Sequence, residues 1–404
     1  MTMNKQLVAA SLLLPLAGVA CAQGAVTLYG IVDAGITYRS NERVGAAGNY
    51  VGNYAGHSNV GLTTGNLSGS RWGIKGMEDL GGGLRALFVL ENGFDIANGT
   101  SGRQGGRQFG RQAFVGVGSD RYGTVSLGRQ YTSLDDFVSP VGPSAYIGGF
   151  GAHPGDIDDL DQTARVDSSI KYTSANYAGF TFGALYGFGG QPGSMKQRNT
   201  WSVGAAYAAG PLRVGVGYER ADNSKTGAND KTVGKWQSTD DGLFNSSINE
   251  GYASAQSQQV IATGATYDFG PALVGVNYSN VQYRGGDRSL FSGHATFNVA
   301  GVFTRWKVRP QTQLFAGYSY TRGSEIEGAD GRAQYHNVTL GAVYDLSKRT
   351  SVYLLGAYQH ACGTTLDAQG RPVAATASVS DKANSHSSDA RSQAIVSVGM
   401  RQRF

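Results

Sequence analysis

The sequence predicts an all-β fold, a 16-stranded antiparallel transmembrane β-barrel with short turns at one end and long loops at the other. Three observations lead to this fold class: the composition, a recurring hairpin and strands with two unlike faces. Of the 404 residues, 61 are glycine and 22 are tyrosine but only 9 are proline, which favours strands and turns over helices. Past the amino terminus no stretch of about eighteen apolar residues occurs, so a closed barrel is the only way in which this chain can span a membrane.

The amino-terminal segment predicts export. Residues 1–22 place Lys5 ahead of an apolar run and end on the small-residue motif ACA, which is typical of a cleaved signal peptide. Cleavage there leaves residues 23–404 as the barrel and removes Cys21, unless Cys21 is kept as a lipid-attachment site. Cys362 is then the only cysteine, so no internal disulfide is expected. The formal charge of +5 is small for this length and gives no reason to expect a nucleic-acid partner.

A strand, a tight turn and a returning strand recur along the chain. The repeated segments are VGAAYAAGPLRVGVGY (203–218), TGATYDFGPALVGVNY (263–278) and LGAVYDLSKRTSVYLLGAY (340–358). The opposite connections are long and polar, and they cover residues 41–67, 95–108, 131–164, 220–258, 323–332 and 362–390. Sixteen strands of roughly ten residues use about 160 positions, which leaves room for all of these loops.

Alternation divides the side chains of each strand between two faces. The apolar face of the last strand holds Val396, Val398, Met400 and Phe404. Its polar face holds Ser397, Arg401 and Arg403. We assign the apolar face to lipid and the polar face to a wet interior, which places the terminal aromatic ring at the membrane boundary. A soluble β-sandwich is the alternative, because alternation alone does not say which face is the core.

Several segments together resemble one family. AVTLYGIVDAGITY (25–38), SRWGIKGMEDLGGGLRALFVLE (70–91), VSLGRQY (125–131), RVDSSIKYTSANYAGF (165–180) and the terminal VGMRQRF resemble, in this order, general porins of Gram-negative outer membranes, of the β-proteobacterial branch. The resemblance implies a homotrimer of 16-stranded barrels in the cell outer membrane, with short periplasmic turns and long extracellular loops. It implies passive diffusion of small hydrophilic solutes and ions, without a cofactor. The partners it implies are outer-membrane lipid, lipopolysaccharide and the assembly machinery, for which Phe404 would be the signal.

The resemblance also implies a pore constriction. The third loop, residues 131–164, would fold into the barrel; it carries six aspartates and neither lysine nor arginine. The implied basic wall is Arg71, Arg111 and Arg165. The implied acidic residues are Glu91, Asp33, Asp156, Asp158, Asp159 and Asp161. Opposed charges across a narrow aqueous gap set up a transverse field that orients polar solutes.

One departure leaves the ion preference open. Ile31 stands where better-studied relatives carry a lysine inside the lumen, so the basic cluster is smaller by one residue. Arg103, Arg107 and Arg129 are candidates to compensate, but the sequence does not place them.

Other functional classes find less support. The six histidines are scattered and neither H-E-x-x-H nor G-x-S-x-G occurs, so no enzyme and no catalytic residue is predicted. DIDDLD (156–161) resembles a calcium loop but lacks its central glycine and terminal glutamate, so no metal site is predicted. A substrate-specific channel lined by aromatic rings stays open as an alternative, as does surface recognition through residues 220–258.

Overall fold

The structure is a computed structural model that describes residues 25–43, 56–101, 106–195, 197–223, 236, 244–326, 331–380 and 387–404. The predicted signal peptide, residues 1–22, lies outside these ranges. The first nine strands are β1 (Ala25–Glu42), β2 (His57–Thr64), β3 (Arg71–Gly81), β4 (Leu84–Gly93), β5 (Gln112–Ser119), β6 (Gly123–Gln130), β7 (Val166–Thr173), β8 (Phe180–Gly187) and β9 (Thr200–Ala209). The others are β10 (Leu212–Asp222), β11 (Ser257–Asp268), β12 (Ala272–Arg284), β13 (His294–Arg309), β14 (Thr312–Glu325), β15 (Arg332–Asp345), β16 (Thr350–Cys362), β17 (Thr364–Leu366), β18 (Pro372–Ala374) and β19 (Ser392–Arg403).

The strands close into a barrel. Each strand pairs with its neighbours in antiparallel fashion, and β1 pairs with β19 on one side and with both β2 and β3 on the other. β2 and β3 are therefore two parts of one barrel strand that is interrupted at residues 65–70. The 17-stranded sheet thus has 17 − 1 = 16 barrel strands, and β17 and β18 form a separate hairpin. The predicted 16-stranded antiparallel barrel is confirmed.

The helical segments in the described parts of the loops are short. These are α1 (Ser133–Phe137), α2 (Ser144–Ile147) and the 3₁₀ turns Ser139–Val141, Gly148–Gly151, Pro154–Asp156 and Glu250–Tyr252. Among the described residues, no helix has the length and hydropathy needed to cross a bilayer. The turns at the opposite end of the barrel are tight, and Gly210 and Gly270 adopt the positive φ values of 54° and 94° that such turns require.

The apolar faces of the strands point outward, as the alternation predicts. Val26, Ile36 and Val398 are 65%, 64% and 61% exposed, whereas the inward Asp33 and Ser397 are fully buried. This orientation is the reverse of a soluble sandwich, in which the apolar faces would meet in a core.

The interior differs between the two sides of the barrel. On β11 to β15, inward residues such as Val281, Phe297 and Tyr335 are apolar, and they pack against Trp236 and Tyr252 of the loop between β10 and β11. At these positions the strands depart from the expected polar inward face because loops cover them, whereas Asn277, Ser279 and Thr339 follow it.

The chain end closes the barrel against β1. Backbone hydrogen bonds of 3.1 Å join Gly30 and Phe404 in both directions. A Cβ atom on Gly30 would lie 2.3 Å from Cζ of Phe404, so the terminal ring covers this glycine. A bare aromatic residue at the end of the chain therefore packs on the first strand, where a glycine leaves room for it.

The third loop, residues 131–164 (hereafter L3), lies inside the barrel and packs against inward-facing glycines of the wall. A Cβ atom on Gly215 would lie 2.0 Å from the carbonyl oxygen of Phe137, and one on Gly217 would lie 2.8 Å from Cδ2 of Leu134. Gly204 faces the ring of Phe137 in the same way, at 2.7 Å. These glycines belong to the repeated VGAAY and VGVGY segments, so the repeat supplies the space that α1 occupies.

Replacing Gly215 with valine should displace α1, because the added atoms overlap the backbone of Phe137. We expect a loss of about 1–3 kcal/mol of stability, the usual cost of overpacking, together with a larger single-channel conductance. Gly356→Val is the matched control, since the nearest atom to a Cβ there is 3.7 Å away. Equal melting temperatures and conductances for the two variants would contradict the seating of L3.

Replacing Phe404 with alanine should weaken the closure between β19 and β1, because Gly30 loses its cover. We expect a loss of ~1–2 kcal/mol and a smaller heat-modifiable, folded fraction on electrophoresis. Met400→Ala, on the same outward face, is the control. A folded fraction that falls equally in both variants would show that the terminal ring has no special role in closure.

A candidate pore constriction

A gap of ≈ 300 Å³ separates L3 from the barrel wall. Arg71, Arg111 and Arg165 line it from the wall. L3 lines it with Ser139, Pro140, Ser144, Ala145, Gly148, Gly149, Leu160, Asp161, Gln162 and Thr163. The interrupted strand contributes Thr64, Gly65, Leu67, Ser68, Gly69 and Ser70. The structure thus brings the three sequence-derived arginines together at one opening.

The wall arginines stand at the beginnings of strands, where the chain enters the barrel. Arg71 starts β3, while Arg111 and Arg165 directly precede β5 and β7. Nε of Arg71 donates to the carbonyl oxygen of Gly69 at 2.9 Å, and Nη1 of Arg165 donates to that of Thr163 at 2.7 Å. Backbone carbonyls thus hold these two guanidinium groups in place.

Glu91 lies on the wall as an ion-pair partner. Its Oε1 accepts a hydrogen bond from Nε of Arg111 at 2.8 Å, and its Oε2 accepts one from the hydroxyl of Tyr29 at 2.9 Å. Glu91 is 4% exposed and is not among the residues that line the gap. It therefore orients Arg111 from behind.

Two of the additional arginines lie outside the gap. Arg129 and Arg107 both pair with Asp167, at 2.5 and 3.3 Å. Arg129 also donates to the carbonyl oxygen of Gly110 at 2.7 Å. Arg103 lies outside the described residues.

Asp33 is fully buried and accepts hydrogen bonds from the backbone of the segment that separates β2 from β3. Its Oδ2 accepts from the backbone N–H groups of Leu67 and Ser68 at 3.2 and 2.9 Å, and its Oδ1 accepts from the hydroxyl of Tyr353 at 2.7 Å. Asp33 points inward, as the alternation predicts, but residues 65–70 cover it, so it does not line the gap.

Residues 65–70 form an inward bulge that sequence reasoning missed. Half of this segment, residues 65–67, falls in the predicted loop 41–67, yet β2 occupies His57–Thr64 within that range. The carbonyl oxygen of Asn66 accepts from the N–H of Gly149 in L3 at 3.0 Å, which ties the bulge to L3. The cluster TTGNLSGS, rich in turn-forming residues, was the available signal for a break within the strand.

Of the four aspartates at the end of L3, only Asp161 lines the gap. Asp156 accepts from the N–H of Asp161 at 2.9 Å and from the hydroxyl of Thr163 at 2.6 Å. Asp159 accepts from the N–H of Ala164 at 2.7 Å. Asp156, Asp158 and Asp159 are buried and shape the turns of L3. Among the described residues, no group of three or more histidine, cysteine or acidic side chains is arranged to hold a metal ion.

A buried pair joins L3 to β12. Nδ1 of His153 lies 2.6 Å from Oδ2 of Asp158, which also accepts a hydrogen bond from Ser279, and Nε2 of His153 lies 2.7 Å from Nδ2 of Asn277. Burial alone would lower the pKa of His153, but the Asp158 carboxylate raises it above its usual value. Burial opposes ionisation of Asp158 as well, yet His153 holds its pKa below the usual value. The two groups therefore form an ion pair near neutral pH.

A second contact joins both limbs of L3 to β10. Burial raises the pKa of Asp135 well above its usual value, and the nearby Glu219 adds to the rise. Burial also raises the pKa of Asp159 well above its usual value, and the nearby Asp135 adds to that rise. In the described part of the chain, Oδ1 of Asp135, Oδ2 of Asp159 and Oε2 of Glu219 are buried without a hydrogen-bond partner. L3 is therefore held most firmly while these L3 carboxyls keep their protons.

Both contacts predict that L3 loosens as pH rises. A carboxyl whose folded pKa is raised binds more protons in the folded state, so its contribution is fully present below the ordinary aspartate pKa of about 4 and is lost as pH rises through the folded value. The His153 contribution has the same sign, because its pKa is also raised: it is fully present below about 6.5 and is lost as pH rises through the higher folded value. We expect a lower melting temperature at pH 9 than at pH 5. Asp135→Asn should flatten this dependence, whereas Asp120→Asn, at an exposed turn, should leave it unchanged. A wild-type melting temperature that rises with pH would contradict the assignment.

Comparisons with known proteins agree with this architecture. A family model described as Gram-negative porin matches residues 7–364. An outer membrane porin protein of Bordetella pertussis is 31% identical over 387 residues, covering 88% of this chain and 94% of that protein. Outer membrane porin protein 32 of Delftia acidovorans is 32% identical over 365 residues, covering 87% and 88%. The solved anion-selective porin from Comamonas acidovorans superimposes with a TM-score of 0.69 at 24% identity, covering 95% of this chain and 100% of that one.

The resemblance found in the sequence is confirmed by the family match, the relatives and the barrel. The chain belongs to the Gram-negative porin family and is a channel protein of the cell outer membrane.

Proposed function

We propose that this porin is a general diffusion channel for small hydrophilic solutes and ions, with a preference for anions. The observation that carries the proposal is the lining of the gap: Arg71, Arg111 and Arg165 line it, and Asp161 is the one acidic residue among the described residues that line it. Hydroxyl and backbone groups make up much of the remaining lining, which gives any small polar solute hydrogen-bonding partners.

The charge balance supports the anion preference. Arginine stays charged at any working pH, and Glu91 forms its ion pair with Arg111. The L3 aspartates other than Asp161 do not reach the lining, so the gap keeps a net positive charge. Such a charge in a low-dielectric wall concentrates anions and repels cations. The solved porin from Comamonas acidovorans is named for the same preference.

A substrate-specific channel is the alternative. It would need a ladder of aromatic rings in the passage, but among the described residues that line the gap Phe94 alone is aromatic. Conductance that saturates with, or is blocked by, a particular sugar would favour this alternative over general diffusion.

We infer from the outer surface of the barrel that the channel is a homotrimer. The exposed apolar residues of β1 to β6 are mainly aliphatic, as at Val26, Val115 and Leu127, whereas exposed aromatic rings concentrate on β8 to β16, as at Phe180 and Tyr318. Aromatic belts mark contact with lipid headgroups. The aliphatic face therefore suits contact with a second copy, and the aromatic face suits outer-membrane lipid and lipopolysaccharide.

Export and assembly complete the proposal. Residues 1–22 would be removed as a signal peptide, and residues 23–404 would enter the membrane. Phe404 would serve the assembly machinery as a recognition signal in addition to its contact with Gly30. Its half-exposed ring, at 48%, leaves surface for such a contact.

Replacing Arg71, Arg111 and Arg165 together with serine should move the selectivity of the channel toward cations. We expect the anion-over-cation permeability ratio to fall about tenfold or more, which corresponds to ~1.4 kcal/mol, because three charges leave the gap. The measurement is the reversal potential of reconstituted channels in a KCl gradient.

The matched control removes three exposed cations from the short-turn end of the barrel, Arg309, Lys348 and Arg349. It should change the ratio little, since these side chains are screened by salt. If the two triple variants have the same reversal potential, the arginines of the gap do not set selectivity.

A further inference from the structure

Tyr131 lies between two of the wall arginines, at the point where β6 ends and L3 begins. Its ring centroid is 4.7 Å from Cζ of Arg165 and 5.9 Å from Cζ of Arg111. Its hydroxyl oxygen accepts a hydrogen bond from Nη2 of Arg165 at 2.9 Å. Tyr131 is 7% exposed and is not among the lining residues, so it contacts the arginines from behind the gap.

The two guanidinium groups need such a neighbour because they repel each other. Glu91 compensates Arg111 directly, but its carboxylate also reduces the positive charge of the site. An aromatic ring attracts cations through the negative face of its quadrupole and adds no net charge. Tyr131 therefore stabilises Arg111 and Arg165 side by side without cancelling the field that acts on a passing ion.

The position of Tyr131 also couples this contact to L3. Its carbonyl oxygen accepts a hydrogen bond from Nζ of Lys171 at 3.3 Å, and Lys171 pairs with Asp136 of α1 at 2.8 Å. The backbone of Tyr131 is thus fixed between β7 and α1. This backbone contact and the hydrogen bond to Arg165 position the ring beside both arginines.

We propose that Tyr131 is a positioning residue that sets the spacing and direction of Arg111 and Arg165 and thereby the ion selectivity of the gap. The proposal rests on the proposed channel function and names one determinant of its selectivity. A merely structural tyrosine would affect folding or conductance, but it would leave the ratio of anion to cation permeability unchanged.

The test compares Tyr131→Phe and Tyr131→Leu with wild type in planar bilayers, using the reversal potential in a KCl gradient. The phenylalanine variant keeps the ring and loses the hydrogen bond to Arg165, so the ratio should fall about twofold. The leucine variant also loses the ring, so the ratio should fall by about two- to fivefold. Tyr146→Leu is the matched control, because its ring lies in L3 beside Arg305, at 5.8 Å, and it does not line the gap.

An unchanged permeability ratio in folded Tyr131→Leu channels would overturn the proposal, as would an equal fall in the Tyr146→Leu control. If the leucine variant does not fold, the phenylalanine variant decides, and an unchanged ratio in that variant is the overturning result. The proposed anion preference is tested separately, by the reversal potential of wild-type channels in the same KCl gradient. The variants are then still compared with wild type, whichever ion it prefers.

Discussion

The seating of L3 on inward-facing glycines is the constraint on which the rest of the structure depends. A barrel of sixteen strands encloses more space than its inward side chains fill. α1 can approach the wall only because Gly204, Gly215 and Gly217 carry no side chain at the contact. The approach brings Asp135 to Glu219 on β10, and the same loop reaches β12 through His153. The position of the loop, and with it the width of the gap, follows from these contacts.

The side of the gap that faces L3 is formed in part by the bulge at residues 65–70. The strand formed by β2 and β3 is broken at residues 65–70, and the freed backbone turns inward toward L3. An unpaired backbone inside a membrane protein is tolerated only where protein or water satisfies it. Asp33 meets this need by accepting from two N–H groups of the bulge, and Tyr353 in turn holds Asp33. A buried carboxylate that does not face the passage thereby determines the shape of the passage.

Much of this architecture was predictable, because the barrel imposes a period of two on every strand. The outward residues Val26 and Val398 follow from that period, and so does the inward position of Asp33. The three wall arginines followed from the family resemblance. Alternation shows which residues point inward, but it does not show whether a loop packs on them. Asp33 was for that reason assigned to the gap, and the apolar inward residues of β11 to β15 were not anticipated. The aspartates of L3 were ambiguous for a different reason: a short polar side chain serves a turn of its own loop as readily as it faces water, and Asp156 and Asp159 do the former.

The hydrogen-bond partners of the three wall arginines bear on the proposed positive charge of the gap. A cation buried at a wall requires compensation, and a carboxylate partner for each arginine would cancel the positive potential of the site. Here the Glu91 carboxylate accepts a hydrogen bond from Arg111, and the carbonyl oxygens of Gly69 and Thr163 accept from Arg71 and Arg165. Carbonyl dipoles and the ring of Tyr131 stabilise guanidinium groups at short range, but their own fields decay faster with distance than that of a full charge. These contacts hold the guanidinium groups in place without removing their charges, as the proposed anion preference requires.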